Sequence, residues 1–151
     1  MEMSDAQAGV ASPIRGSCLC GGVEFEVDEL SGPIGHCHCL TCKKAHSAAF
    51  ATTARARREH FCWTRGEEQV KYFESSPGKR RHFCGQCGSQ LIAEWVDQPM
   101  VILRLGVVDN DPGAMPAGHI WTSHDVPWLA YGPELPHYSE GVPRRDNGSI
   151  A

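Results

Sequence analysis

Seven of the eight cysteines in this chain fall into three short clusters: Cys18-Leu19-Cys20, Cys37-His38-Cys39-Leu40-Thr41-Cys42 and Cys84-Gly85-Gln86-Cys87. Sulfurs one to three residues apart can turn toward a single zinc ion at about 2.3 Å, and two such pairs complete a tetrahedron. The odd count matters. Two pairs supply one closed four-thiolate site, which builds structure, and the remaining triad supplies three ligands. Its fourth position is left for water, a histidine or a substrate, and an ion held that way can act as a Lewis acid or bind a thiol and take its proton.

A disulfide framework is the competing explanation for so many cysteines in a short chain. Residues Met1 to Gly16 include Glu2, Asp5, Gln7 and Arg15 and contain no apolar run. That stretch gives no sign of a secretory or mitochondrial leader, so a reducing cytoplasm is the expected compartment. Two cysteines separated by one residue also close a relaxed disulfide poorly, while they are economical metal ligands.

Cys84-Gly85-Gln86-Cys87-Gly88 has the form of a zinc knuckle, and Cys18-Leu19-Cys20-Gly21-Gly22 has comparable freedom to turn. Joining these distant pairs closes a long loop and ties the first strand to a late hairpin. Cys18, Cys20, Cys84 and Cys87 are therefore assigned to a structural zinc, and Cys37, Cys39 and Cys42 to a second zinc and the candidate active site. The alternative pairs the triad with one cysteine of another cluster, which leaves a less sensible remainder. His36, His38 and His46 are near enough in sequence to close the triad site, and a fourth protein ligand would make that site purely structural.

The remaining candidates have plain structural alternatives. Cys62 alternates with Phe61 and Trp63 and reads as a buried, inert thiol. The basic groups Lys43-Lys44, Arg55 with Arg57-Arg58, and Lys79-Arg80-Arg81 can hold the carboxylates of a peptide-like ligand, although such runs are commonly solvated faces. His119, His124 and Trp128 lie in a proline-rich stretch and are candidates for acid-base groups or a pocket wall.

The elements that must position these groups are mostly strands. In Val23-Glu24-Phe25-Glu26-Val27-Asp28, apolar residues take one face and carboxylates the other. Strand-length runs follow at Ser47–Ala54, Phe61–Thr64, Gln69–Phe73, Arg80–Phe83, Gln90–Trp95 and Met100–Val108, separated by Gly, Pro and Asp turns. One turn of helix is expected around Cys42–Ala48. The stretch from Pro112 to Tyr138, broken by prolines, is expected to be loop that folds back over the sheet.

At 151 residues and 41% hydrophobic content, one small domain is expected, with metal adding to a limited core. The formal charge of -4 falls to about -7 once thiolates and zinc are counted, which speaks against nonspecific nucleic-acid binding. No apolar stretch approaches the ~20 residues that cross a bilayer, so no membrane partner is expected.

The clusters in their contexts, Gly16 to Val23, Cys37 to Lys44 and Phe83 to Ser89, together with Pro116, His119-Ile120 and Pro127-Trp128, resemble the glutathione-dependent formaldehyde-activating enzyme family, which also includes centromere protein V. The resemblance implies a mainly β, single antiparallel β-tent zinc-binding domain, a fold shared with the Rab-exchange-factor and translationally controlled tumour protein superfamily. It places that domain at 14–140, between flexible tails at 1–13 and 141–151. It implies two zinc ions, with the ligand division given above. It also implies a carbon-sulfur lyase acting on a thiol adduct of a small aldehyde, such as S-(hydroxymethyl)glutathione, with glutathione as thiol partner. Two alternatives stand beside it: a noncatalytic zinc domain that binds a thiol or a protein, and a redox-labile zinc sensor.

Overall fold

The computed structural model describes residues 12–130, 132 and 134–143. The tails expected at 1–13 and 141–151 fall mostly outside them. The fold is mainly β, as expected. Among the described residues ten strands run β1 Ile14–Ser17, β2 Glu24–Val27, β3 Ile34–Cys37, β4 Ala51–Arg57, β5 Phe61–Arg65, β6 Val70–Ser76, β7 Lys79–Cys84, β8 Gln90–Trp95, β9 Met100–Arg104 and β10 Pro116–Ile120, with one α-helix, α1 Leu40–His46, after β3.

Two sheets lean together. The smaller has the order β1-β2-β5 and the larger the order β10-β3-β4-β9-β8-β7-β6. The alternation read at residues 23–28 places Val23, Phe25 and Val27 inward, all fully buried. They meet Ala56, Leu91, Ile92, Val101 and Leu103 of the larger sheet. Phe61 and Trp63 close over Phe25, with Trp63 edge-on to both rings. Burial of Phe25 alone removes a side chain worth about 1.5–3 kcal/mol from water.

Several boundaries differ from expectation for identifiable reasons. The helix begins earlier, because Cys39 caps it by accepting the Cys42 amide at 3.3 Å. It ends at His46 because Ser47 turns left-handed, at φ 50, so β4 starts at Ala51 rather than Ser47. The strand expected over Met100–Val108 stops at Arg104 and gives way to a 3-10 turn over Leu105–Val107. Strands β1, β3 and β10 were not anticipated.

The pairing is antiparallel, as expected, except at one edge, where β10 pairs with β3 in parallel, with His119 opposite His36 and Ile120 opposite Cys37. Proline tolerates an edge strand, where its missing N–H goes unused, so Pro116 does not prevent this pairing. The proline-rich stretch does fold back, by adding a strand beside the central cysteine cluster.

Candidate metal centre

Two hooks build the first group. After β1 the chain doubles back, with the Cys18 amide donating to the Val23 carbonyl at 3.0 Å and Gly21 in the positive-φ conformation that the turn requires. At the far end of β7 the Gly88 amide donates to the Cys84 carbonyl at 2.8 Å, which curls Cys87 back toward Cys84. Ser89 joins the hooks: its hydroxyl accepts the Leu19 amide at 2.9 Å and lies 3.3 Å from Cys87 Sγ. Sequence reasoning did not single out Ser89, which carries no motif of its own.

The sulfurs of Cys18, Cys20, Cys84 and Cys87 lie within 4.8 Å of one another. Cys18 and Cys20 are 3.5 Å apart, and Cys20 and Cys84 are 3.9 Å apart. Four bonds of about 2.3 Å in a tetrahedron require sulfurs about 3.8 Å apart, so these contacts suit a zinc-sized ion. They are far beyond the ~2.05 Å of a disulfide, and all eight cysteines are free thiols. The Val23 amide points at Cys18 Sγ at 3.3 Å, and the Ser89 hydroxyl holds the Cys87 thiol down at about 5. Both contacts favour thiolate.

The second group gathers Cys37, Cys39 and Cys42, also within 4.8 Å of one another. Cys37 ends β3, Cys39 caps α1, and Cys42 sits in the helix's first turn, so one strand-to-helix corner aims all three sulfurs inward. Burial pushes the Cys37 thiol up to about 12. A nearby cation reverses that effect, so the chemistry of this donor set also fits a metal. The alternative pairing, with the triad borrowing a cysteine from another cluster, is not what the structure forms.

None of the histidines considered as a fourth ligand joins the triad among the described residues. His38 is fully buried and its ring packs on Phe50 and His119. Its Nε2 is 2.8 Å from His119 Nδ1, and its Nδ1 is 2.6 Å from Asp125 Oδ1, within ion-pair distance although not aligned as a hydrogen bond. His36 packs on the same Phe50 and His119 rings and bonds Thr52 Oγ1 at 2.8 Å. This cluster ties β3 to β10 and to Asp125, holding the cysteine corner in place. His46 lies on the last turn of α1; burial, with Arg104 and Arg81 adding to it, holds its pKa down at about 4.

The basic groups divide. Arg57 and Arg58 are exposed and paired with Glu59 and Glu94. Arg81, expected on a solvated face, is instead buried, as is Arg104, which sequence reasoning missed. Cross-strand pairing explains the gathering. Cys37 is opposite Ala51 on β4, and Thr53, two residues on, is opposite Arg104. The next row on the same face runs Arg55, Ile102, Ala93, Arg81. Cys37, Arg55, Arg81 and Arg104 therefore share one face of the larger sheet, with Lys79 two residues from Arg81. Lys79 stacks 4.9 Å over Trp95, and burial, with Arg104 and Arg81, lowers it to about 8.

Cys62, expected to be buried, is exposed: β5 turns Phe61 and Trp63 toward the core and Cys62 away from it. Trp128 does line a hollow. An open groove of about 530 Å³ runs between α1 and the returning chain, lined by Leu40, Lys43, Lys44, Ser47, Val126 and Trp128. The Lys43 ammonium donates to the His124 carbonyl and the Leu40 amide to His124 Nδ1 at 3.3 Å, so His124 anchors the groove wall.

A small, mainly β domain with one four-cysteine and one three-cysteine group, each able to hold a metal ion, defines a thiolate-centred class of protein. Residues 13–124 match the family described as glutathione-dependent formaldehyde-activating enzyme, and the chain belongs to that family. A Halomonas elongata protein named "Putative glutathione-dependent formaldehyde-activating enzyme" is 32% identical over 129 residues, covering 77% of this chain and 79% of that one. A Rhodobacter sphaeroides protein of known crystal structure superposes with a TM-score of 0.56 at 23% identity, over 70% of this chain and 98% of that one, and supports the fold.

Proposed function

We propose that this chain is a zinc-dependent carbon-sulfur lyase that makes and breaks the adduct of a thiol with a small aldehyde, S-(hydroxymethyl)glutathione being the form the family name suggests. The observation that carries this reading is the three-cysteine group with no fourth protein ligand among the described residues. Cys18, Cys20, Cys84 and Cys87 hold a structural zinc in this account, and Cys37, Cys39 and Cys42 hold a second. An ion held by Cys37, Cys39 and Cys42 would supply Lewis acidity and favour the thiolate form of an incoming sulfur at neutral pH.

The chain's own groups do the rest. The Phe50–His38–His119 cluster and Asp125 keep the cysteine corner rigid. The groove beside α1 is of a size for a short peptide, with Lys44 available to its carboxylates and Trp128 to its apolar stem. In the forward direction the thiolate sulfur bonds to the carbonyl carbon, the carbonyl π pair moves to oxygen, and that oxygen takes a proton. Cleavage reverses each step, and no oxidant or reductant enters.

The test is turnover of S-(hydroxymethyl)glutathione by Cys39→Ala, with folding followed by circular dichroism. The variant is expected to keep its β spectrum and one zinc while losing roughly a hundredfold or more in rate. A folded variant working at the wild-type rate would sink the proposal.

A further inference from the structure

Arg104 and Arg81 are 5% and 6% exposed, and their guanidinium groups lack partners on three buried nitrogens: Arg104 Nε and Nη2 and Arg81 Nη1. Arg81 Nε is satisfied by Ser75 Oγ at 2.9 Å. Among the described residues no carboxylate lies within ion-pair distance of Arg55, Lys79, Arg81 or Arg104. Buried charge without a partner is costly, and a native site that tolerates it is completed by something else.

The unpartnered nitrogens narrow the ligand. Nε and Nη2 form the side-on edge of a guanidinium, the fork that meets both oxygens of a carboxylate at once. The second arginine can reach an anion from another side. Three thiolates around one divalent ion carry a single negative charge, which is too little to balance two guanidiniums and the nearby Lys79 ammonium. A further anion is called for on this sheet face. A hollow of about 520 Å³ lies beside this face, with Gly35, Thr53 and Arg55 in its wall; Arg81 and Arg104 do not line it, and Thr53, the cross-strand neighbour of Arg104, is the link between the two.

Building on the carbon-sulfur reading above, we propose that Arg104 and Arg81 form a receptor for a carboxylate carried by the small carbonyl component, so that the aldehyde is a compact 2-oxo acid. Burial to about a twentieth of full exposure suits a small anion better than the outer carboxylates of a peptide thiol, which have Lys44 at the open groove. With the carboxylate in the fork, the adjacent carbonyl carbon is required to face the cysteine corner, which shares this side of the sheet with Arg104. Thiolate addition then gives R–S–CH(OH)–COO⁻, the carbonyl oxygen having taken one proton.

Oxalate tests the receptor by isothermal titration against the zinc-loaded full chain, with zinc content followed through the titration because oxalate also chelates zinc, so that the arginine variants and not binding alone report on the fork. Saturable binding is expected, weakened at least about tenfold by Arg104→Gln and by Arg104→Lys, which keeps the charge but loses the fork, and unchanged by Arg65→Gln on the other sheet. Circular dichroism and zinc content establish that each variant is intact, and Arg81→Gln serves if Arg104→Gln fails to fold. No oxalate binding to wild type would overturn the proposal. Loss of the second zinc from Arg104→Gln in that case would reassign the pair as counter-charge to the thiolates.

Turnover separates the source of the carboxylate. Adduct formation from glyoxylate and cysteamine, whose thiol carries no carboxylate, should fall at least about tenfold in kcat/KM with Arg104→Gln, while the formaldehyde and glutathione pair is far less affected. The opposite pattern assigns the fork to the thiol and overturns the proposal. Oxalate binding with no adduct chemistry from any aldehyde would leave the receptor standing and defeat the lyase reading instead. Lyase turnover of the formaldehyde adduct without oxalate binding would do the reverse.

Discussion

Cys39 has two tasks on one sulfur, capping α1 through the Cys42 amide and contributing to the three-cysteine group. Substitution can separate them. Serine is a good N-cap and a poor soft ligand, so Cys39→Ser should release the second zinc with little change in stability beyond that release, whereas Cys39→Ala should lose a further ~0.5–2 kcal/mol. Urea denaturation with zinc counting checks both. His46 supplies a second test. Its folded pKa, about 4, lies below the ordinary value of 6.5, so the unfolded chain binds more protons between the two. The His46 contribution to stability is complete above about pH 6.5 and is lost as the pH falls toward about 4. Denaturation midpoints of wild type and His46→Gln should therefore converge as the pH is lowered through this window; a constant gap would contradict the assignment. At this scale the cysteines were legible because their spacing is itself the chemistry. Arg104 was not legible, because its burial depends on pairing opposite Thr53, a contact between residues distant in the chain.

At the scale of elements, the turn between β5 and β6 shows how tightly the smaller sheet is fixed to the first cysteine hook. Gly66 has φ +70, and a Cβ there would stand 1.9 Å from the carbonyl oxygen of Gly22, two residues after Cys20. Gly66→Ala should cost at least about 1–2 kcal/mol from the left-handed backbone alone, and the clash should also disturb the four-cysteine group. Reduced zinc affinity alongside the lowered denaturation midpoint is the expected signature; an unchanged affinity would show that the hook is independent of this turn. Period-two alternation made β2 and the strands from β5 to β9 visible in the sequence. It did not reveal β3, whose Ile34-Gly35-His36-Cys37 has no clean alternation, or β10, whose Pro116 and Gly118 resemble loop. Both strands exist because they pair with each other and, through β3, with β4, and together they seat the second cysteine group.

For the molecule as a whole, the cysteine groups differ in what they join. The first connects hooks 64 residues apart, at Cys20 and Cys84, and borders the main core through Cys18 and Cys84. The second is local to one corner and has its own small cluster with Ala51. A chelator added in steps should therefore remove one zinc with the β spectrum intact, and removal of the other should collapse the fold. Simultaneous loss of both ions and the fold would contradict this division. The central claim, that the second centre has a position open to a thiol, is tested most directly by zinc X-ray absorption before and after glutathione is added. Four sulfurs at one site and three at the other average about 3.5 per zinc, and thiol binding at the open position should raise that average to about 4. An average of about 3.5 that glutathione leaves unchanged, with nitrogen filling the remaining position, would contradict the account.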